Sequence, residues 1–285
     1  MTHRFRIESL LAARQFLAPQ LIGDWLYFMS DMSGRLSLYR MRVGGSLPQP
    51  LLPPHIALQN PHLLEGEGVY RVLPALDKIL IMLDQDGDEN YQPMTIPLDG
   101  GIPTNLFGDR FAGQQVICGW LDMTQNLAIF SVDPRTEPLH YTFLVDLATL
   151  AITDLGSSAY GNGPVSVSAD HSQIVLAGFY TAGDTVLYRW QQGNAARTPL
   201  YGLPLEQRKA GQAVPLTGFG AGEFTRNNQL LLTTALFTDE YGLGYLRLDA
   251  PDQVEPVTIV GLRHHGAGEL VDLKHCYDNH YLDGV

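Results

Sequence analysis

Five stretches of the chain are apolar without alternation: Trp25–Met29, Lys78–Leu83, Asn126–Val132, Gln173–Tyr180 and Gln229–Phe237. Continuous apolar runs of this length fit strands that are covered on both faces. Each runs into a segment dense in turn formers: Asp31–Gly34, Asp84–Asp88, Asp133–Pro138, Thr181–Asp184 and Thr238–Gly242. Glycine supplies positive φ there, proline fixes φ, and aspartate bonds its own backbone, so each segment predicts a hairpin. Beyond the turn the pattern changes. Tyr141, Phe143 and Val145 alternate with Thr142, Leu144 and Asp146, as Val186, Tyr188 and Trp190 do with Leu187, Arg189 and Gln191. Period two predicts a half-exposed strand.

The runs start at residues 25, 78, 126, 173 and 229, a spacing of about fifty residues. Further strands precede them, most clearly at Gln115–Gly119 and Pro164–Ser168. Two units also share a tail, in which Gly44-Gly45 and Gly100-Gly101 lead to Pro48 and Pro103, and this predicts a short outer strand. Four strands in a fifty-residue repeat predict the blades of an all-β propeller. A sandwich explains short strands but no such period. The expected organisation is one propeller domain over residues 1–285, with five complete blades. The same spacing places a sixth buried strand near His280, giving a partial unit at 270–285 and a chain that stops inside a blade. Ile7–Phe16, rich in helix formers, predicts a short amphipathic lead helix that, with an entry strand, occupies residues 1–20 ahead of the first apolar run.

Composition narrows the function classes. Gly (29) and Pro (18) are plentiful, which excludes a helical bundle. A net charge of −12 opposes nucleic acid, whose binding rests on basic residues that neutralise phosphates. No apolar run reaches the roughly 18 residues of a membrane span, and the N-terminus lacks a signal-like stretch. Cys118 and Cys276 are too few and too far apart for a disulfide framework, so a cytoplasmic setting is expected.

Three motifs carry a resemblance. Glu8–Arg14 followed by Trp25–Asp31 opens the chain, and Ser30–Tyr39 forms an S-D-x-S-G-x-x-x-L-Y hairpin. Leu83–Gln92 reads D-x-D-G-D-E-N-Y-Q and is followed by Gly100-Gly101; Ser168-Ala169-Asp170 is a worn S-P-D-G turn. Together they resemble the N-terminal propeller of the prolyl oligopeptidase family, in its acylaminoacyl-peptidase-like branch. The resemblance implies a lid over a separate C-terminal α/β-hydrolase domain, which would cut short or N-acylated peptides with Ser, Asp and His. That domain is absent from this chain. None of its eleven serines has glycine at both −2 and +2, and Gly44–Pro48 around Ser46 is the nearest miss to a nucleophile elbow. No catalytic, cofactor-binding or metal residue is therefore assigned, and the substrate-binding residues stay open.

Other clusters have plainer readings. Asp84, Asp86, Asp88 and Glu89 suggest calcium, but Gly87 sits too early for an EF-hand loop, which favours a solvated hairpin. His264, His265, His275, Cys276 and His280 lack the paired spacing of structural zinc. Gly218–Gly222 reads as a turn that opens a strand. Trp120, Trp190 and the tyrosines suit a peptide groove or packing between blades. No Tyr-Glu-Glu motif marks the dipeptidyl-peptidase branch, and Glu65, Glu67 and Glu223 carry no assignment. Two further readings remain beside the lid: a stand-alone, non-enzymatic propeller that binds a partner, and a carbohydrate-active propeller.

Overall fold

A computed structural model describes residues 13–59, 69–85, 87–181, 183–214, 216–227, 229–261, 268–270 and 273. These residues form five four-stranded antiparallel sheets and no α-helix. The first sheet holds β1 (Phe16–Ile22), β2 (Trp25–Ser30), β3 (Ser37–Arg42) and β4 (Gln49–Pro50). The second holds β5 (Tyr70–Leu73), β6 (Lys78–Leu83), β7 (Gln92–Pro97) and β8 (Thr104–Asn105). β9 (Gln115–Asp122), β10 (Leu127–Asp133), β11 (His140–Asp146) and β12 (Ile152–Ser158) make the third. The fourth is β13 (Gly163–Val167), β14 (Gln173–Thr181), β15 (Asp184–Gln191) and β16 (Thr198–Tyr201). The fifth is β17 (Phe219–Phe224), β18 (Leu230–Thr234), β19 (Gly242–Leu246) and β20 (Val254–Val257). Strand order follows the chain within every sheet, so each is a meander of hairpins.

The five apolar runs are β2, β6, β10, β14 and β18, second in their sheets and flanked by strands on both sides. Ile79, Leu80, Ile81 and Met82 of β6 are all buried, as are Ile174 to Ala177 of β14. Burying one such side chain contributes about 1.5–3 kcal/mol, so truncating Ile81 would cost more than any surface change. The chain divides into two compact units, Met1–Glu137 with Leu144–Thr153, and Pro138–Phe143 with Asp154–Val285.

In the first unit the sequence motifs have structural jobs. Gly34 donates its N–H to the Asp31 carbonyl at 2.8 Å to close the β2–β3 turn. The Tyr39 hydroxyl donates to Ser33 Oγ at 2.7 Å across the same hairpin. β1 shifts register between Leu17 and Gln20, and Gln20 then bonds the backbone of β5, accepting from Val72 N at 3.0 Å. Tyr70 donates from its hydroxyl to Ala18 and Tyr27 carbonyls, and burial raises its pKa. Gly100 is in the left-handed region at φ +93°, where a Cβ would sit 2.7 Å from the Leu51 carbonyl oxygen. Only glycine lets the outer loops of the first two sheets approach so closely.

Three expectations need correction. Residues 7–12 of the expected lead helix lie outside the described residues, but its last residue, Phe16, is extended and pairs with Ser30. Gly220 and Gly222 belong to β17 itself rather than to a turn; a Cβ on Gly222 would meet Val165 at 2.7 Å. The third strands are not half-exposed throughout: Val186 and Leu187 are both fully buried in β15, and Thr142 and Val145 are the buried pair of β11. Of the expected partial unit at 270–285, only Leu270 and Leu273 are described, and His280 lies outside them.

Candidate functional site

The second unit holds a pocket of about 350 Å³, built from the end of β12, the loop that follows it, β14, β15 and the 3₁₀ turn Leu205–Gln207. Sheet register explains its members. Tyr188 pairs with Pro199 and Arg189 with Thr198, so Arg197, just ahead of β16, falls beside Tyr188. The Arg197 guanidinium lies 3.9 Å above the Tyr188 ring. Tyr180 and Tyr188 share a hydroxyl–hydroxyl bond of 3.3 Å, and the Tyr180 hydroxyl also accepts the Leu205 N–H at 3.1 Å. The Tyr160 ring meets that of Tyr180 edge-on at 4.8 Å between centroids.

A buried asparagine fixes the cation. Asn162 is 2% exposed; its amide N–H donates to the Gly156 carbonyl at 3.1 Å, and its Oδ1 accepts from Arg197. The other Arg197 terminal nitrogen donates to the Ser157 carbonyl at 3.0 Å. Both acceptors are neutral. Burial lowers the pKa of Arg197 and raises that of Tyr188, the second helped by the Tyr180 hydroxyl. Glu206 is exposed on the rim and acts on Arg197 only at a distance. Arg208 differs. It bonds both Asp184 oxygens, one at 2.8 Å, and stacks 4.8 Å over Tyr180, so its charge is already answered. The arrangement offers a desolvated cation with spare N–H donors on an aromatic floor. Among the lining residues none is a histidine.

The acidic run in the second sheet is arranged otherwise. Asp86 lies outside the described residues. Asp88 accepts the N–H groups of Asn90 at 2.9 Å and Gln85 at 3.1 Å, which hold its pKa below the usual carboxylate range. Arg135 and Gln115 bind the Glu89 carbonyl, and Arg135 also donates to Asn90. The Ser168–Asp170 turn closes in the same manner: Ser168 and Ser172 hydroxyls donate to Asp170 at 2.7 and 2.8 Å, and its pKa falls to about 2.

Cys118 is a buried free thiol whose pKa burial pushes up to about 12, too high for a nucleophile. Trp190 is buried, so it lines no groove. The five histidine and cysteine positions from His264 to His280, with Glu65 and Glu67, lie outside the described residues. Tyr160, Tyr180 and Tyr188 were anticipated only among the tyrosines as a class, and Arg197 was not anticipated. It sits in the polar segment Gln191–Arg197, which reads as an ordinary turn.

No protein-family model matches the sequence, and no curated protein is significantly similar to it. Solved structures are similar in fold. A puromycin hydrolase aligns with a TM-score of 0.53 at 16% identity, over 85% of this chain and 38% of its own. A puromycin-hydrolyzing peptidase of Mycobacterium tuberculosis aligns at 0.56 and 10% identity, over 86% of this chain and 39% of its own. An oligogalacturonate lyase in complex with manganese gives 0.53 at 13% identity, over 80% and 67%. These likenesses establish a β-propeller fold, in accord with the five meandering sheets. The chain spans well under half the length of the two hydrolases it matches.

Proposed function

We propose that this chain is the propeller portion of a serine peptidase of the prolyl oligopeptidase kind, gating access of short or N-acylated peptides to a C-terminal α/β-hydrolase domain. The observation that carries the reading is the match to two puromycin-cleaving hydrolases over about 85% of this chain but under two fifths of theirs. The D-x-D-G-D-E-N-Y-Q turn and the S-D-x-S-G hairpin add to it. In this reading the chain is not catalytic alone: acyl transfer needs a nucleophile, an oriented base and an oxyanion site together, and the one buried thiol described is inert. The protein works in the cytoplasm, the setting that its cysteine usage suggests.

The test is the gene beyond codon 285. A downstream Gly-x-Ser-x-Gly, with cleavage of acyl-alanyl nitroanilide by the full-length product and none by residues 1–285, is the expected result. A reading frame that stops at Val285, or a full-length product inert toward peptides, would sink the proposal. The likeness to oligogalacturonate lyase favours a second reading, a carbohydrate-active propeller. Release of unsaturated products from oligogalacturonate by this chain would select it.

A further inference from the structure

We infer that the Tyr160–Tyr180–Tyr188–Arg197 pocket is a binding site for the free C-terminal carboxylate of a short apolar peptide. The inference rests on the peptide-gating reading and names the chemistry by which the propeller would hold such a ligand.

The geometry asks for an anion. Arg197 carries five N–H donors, and among the described residues only two of its nitrogens have protein acceptors, both neutral. Stacking on Tyr188 holds the guanidinium flat, and the Asn162 bond fixes its rotation. A cation taken partly out of water and given only carbonyl partners gains most from a bidentate carboxylate. The Asp184 carboxylate is occupied by Arg208. The surroundings ask for an apolar body beside that carboxylate. Tyr160 is 43% exposed and Leu205 41%, both on the rim, so hydrophobic surface is held open to solvent at the mouth. A cavity of about 350 Å³ holds one or two residues of a peptide, not a folded partner. Glu206 at the rim opposes a second negative charge, which fits a monoanion better than a phosphate dianion.

Calorimetry on the 285-residue chain tests this, with acetyl-Ala-Ala-Phe as free acid and as amide, and galacturonate as a carboxylate lacking the apolar body. The acid should bind at least about tenfold tighter than its amide, since a charge-assisted bidentate contact is lost. Arg197→Gln should abolish that preference. Glu206→Gln should tighten the acid by about threefold at low salt, because a like charge is removed. Tyr160→Ala should weaken the acid with no change in Tm, and this exposed position decides the matter even where Arg197→Gln fails to fold. Equal affinity for acid and amide, no weakening in Tyr160→Ala, or galacturonate bound tighter than the peptide acid would overturn the assignment. No hydrolysis is measured, so failure here leaves the gene-level test of the peptidase reading untouched, and the reverse also holds.

Discussion

The acidic turn at Asp84–Glu89 and the Arg197 pocket look, by residue type, like the reverse of what they are. The turn gathers carboxylates in the most specific motif of the sequence, yet Asp88 spends its oxygens on its own backbone and on Asn90. The pocket sets one cation among three phenols from separate segments, yet its cation is half-buried and its hydrogen bonds among the described residues go to neutral carbonyls. A carboxylate that closes its own turn is a folding signal. A charged group desolvated by the fold and answered only by neutral carbonyls is a binding signal.

The largest expected effect breaks the pocket side of this contrast. Asn162→Ala removes a buried amide that donates to Gly156 and accepts from Arg197, leaving a carbonyl and a guanidinium nitrogen short of a partner. The cost should be about 2–3 kcal/mol, from two buried hydrogen bonds, read from the urea midpoint. A loss under about 0.5 kcal/mol would mean that Arg197 is held by its stacking alone.

Glu89→Gly reverses the sign on the other side. Glu89 sits at φ +58° with its side chain exposed, a conformation that costs an L-residue roughly 1–2 kcal/mol. Glycine removes that strain and gives part of it back as unfolded-state entropy, so a net gain of about 0.5–1 kcal/mol is expected. Were the carboxylate a calcium ligand, the variant would lose a calcium-dependent rise in Tm that the wild-type chain would show.

The strands were legible because burial on both faces writes itself as an unbroken apolar run, and β2, β6, β10, β14 and β18 all carry one. The turns were legible because Ser, Asp and Gly act on nearby backbone, as Ser30 does on Met32 and Asp170 on Ser172. Phe16 was misread as helical because its local propensity is overridden by pairing with Ser30 fourteen residues on, a tertiary choice. Gly222 looked like a turn former, but its reason is Val165 in another sheet. The pocket was illegible for the same cause. Its members come from Ser157–Tyr160, Tyr180, Tyr188, Arg197 and Leu205–Glu206, and only the register of β14, β15 and β16 brings them together.

A smaller effect is expected in acid. Asp170 has a folded pKa of about 2 against an ordinary 3.8, set first by the Ser168 hydroxyl and then by Ser172. A depressed carboxylate contributes stability that is present above the unfolded pKa and is lost as pH falls through the folded one. The window is therefore about pH 4 down to about pH 2. Asp170→Asn should make the acid limb of a stability–pH curve shallower in that window and leave the curve above pH 5 unchanged in shape. The group is exposed, so screening keeps the change small. An unaltered acid limb would show that the two serine hydroxyls do not favour the ionised form.

The smallest expected effect is none, and it concerns calcium at the acidic turn. A cation stabilises a fold only by binding the folded state more tightly than the unfolded chain. Calcium asks for six to eight oxygens at once, several of them charged. At this turn Asp88 already accepts three N–H donors through its two oxygens, the Glu89 carbonyl accepts from Arg135 and Gln115, and the Arg135 guanidinium sits where a second cation would be repelled. To bind calcium, Asp88 would release the Gln85 and Asn90 N–H groups that close the turn, so the gain from the metal is offset by the loss of the local structure. Millimolar calcium should therefore leave the Tm where millimolar magnesium leaves it, in the wild-type chain and in Asp88→Asn alike. A rise in Tm specific to calcium that disappears in Asp88→Asn would make the turn a metal site and would erase the contrast with the Arg197 pocket.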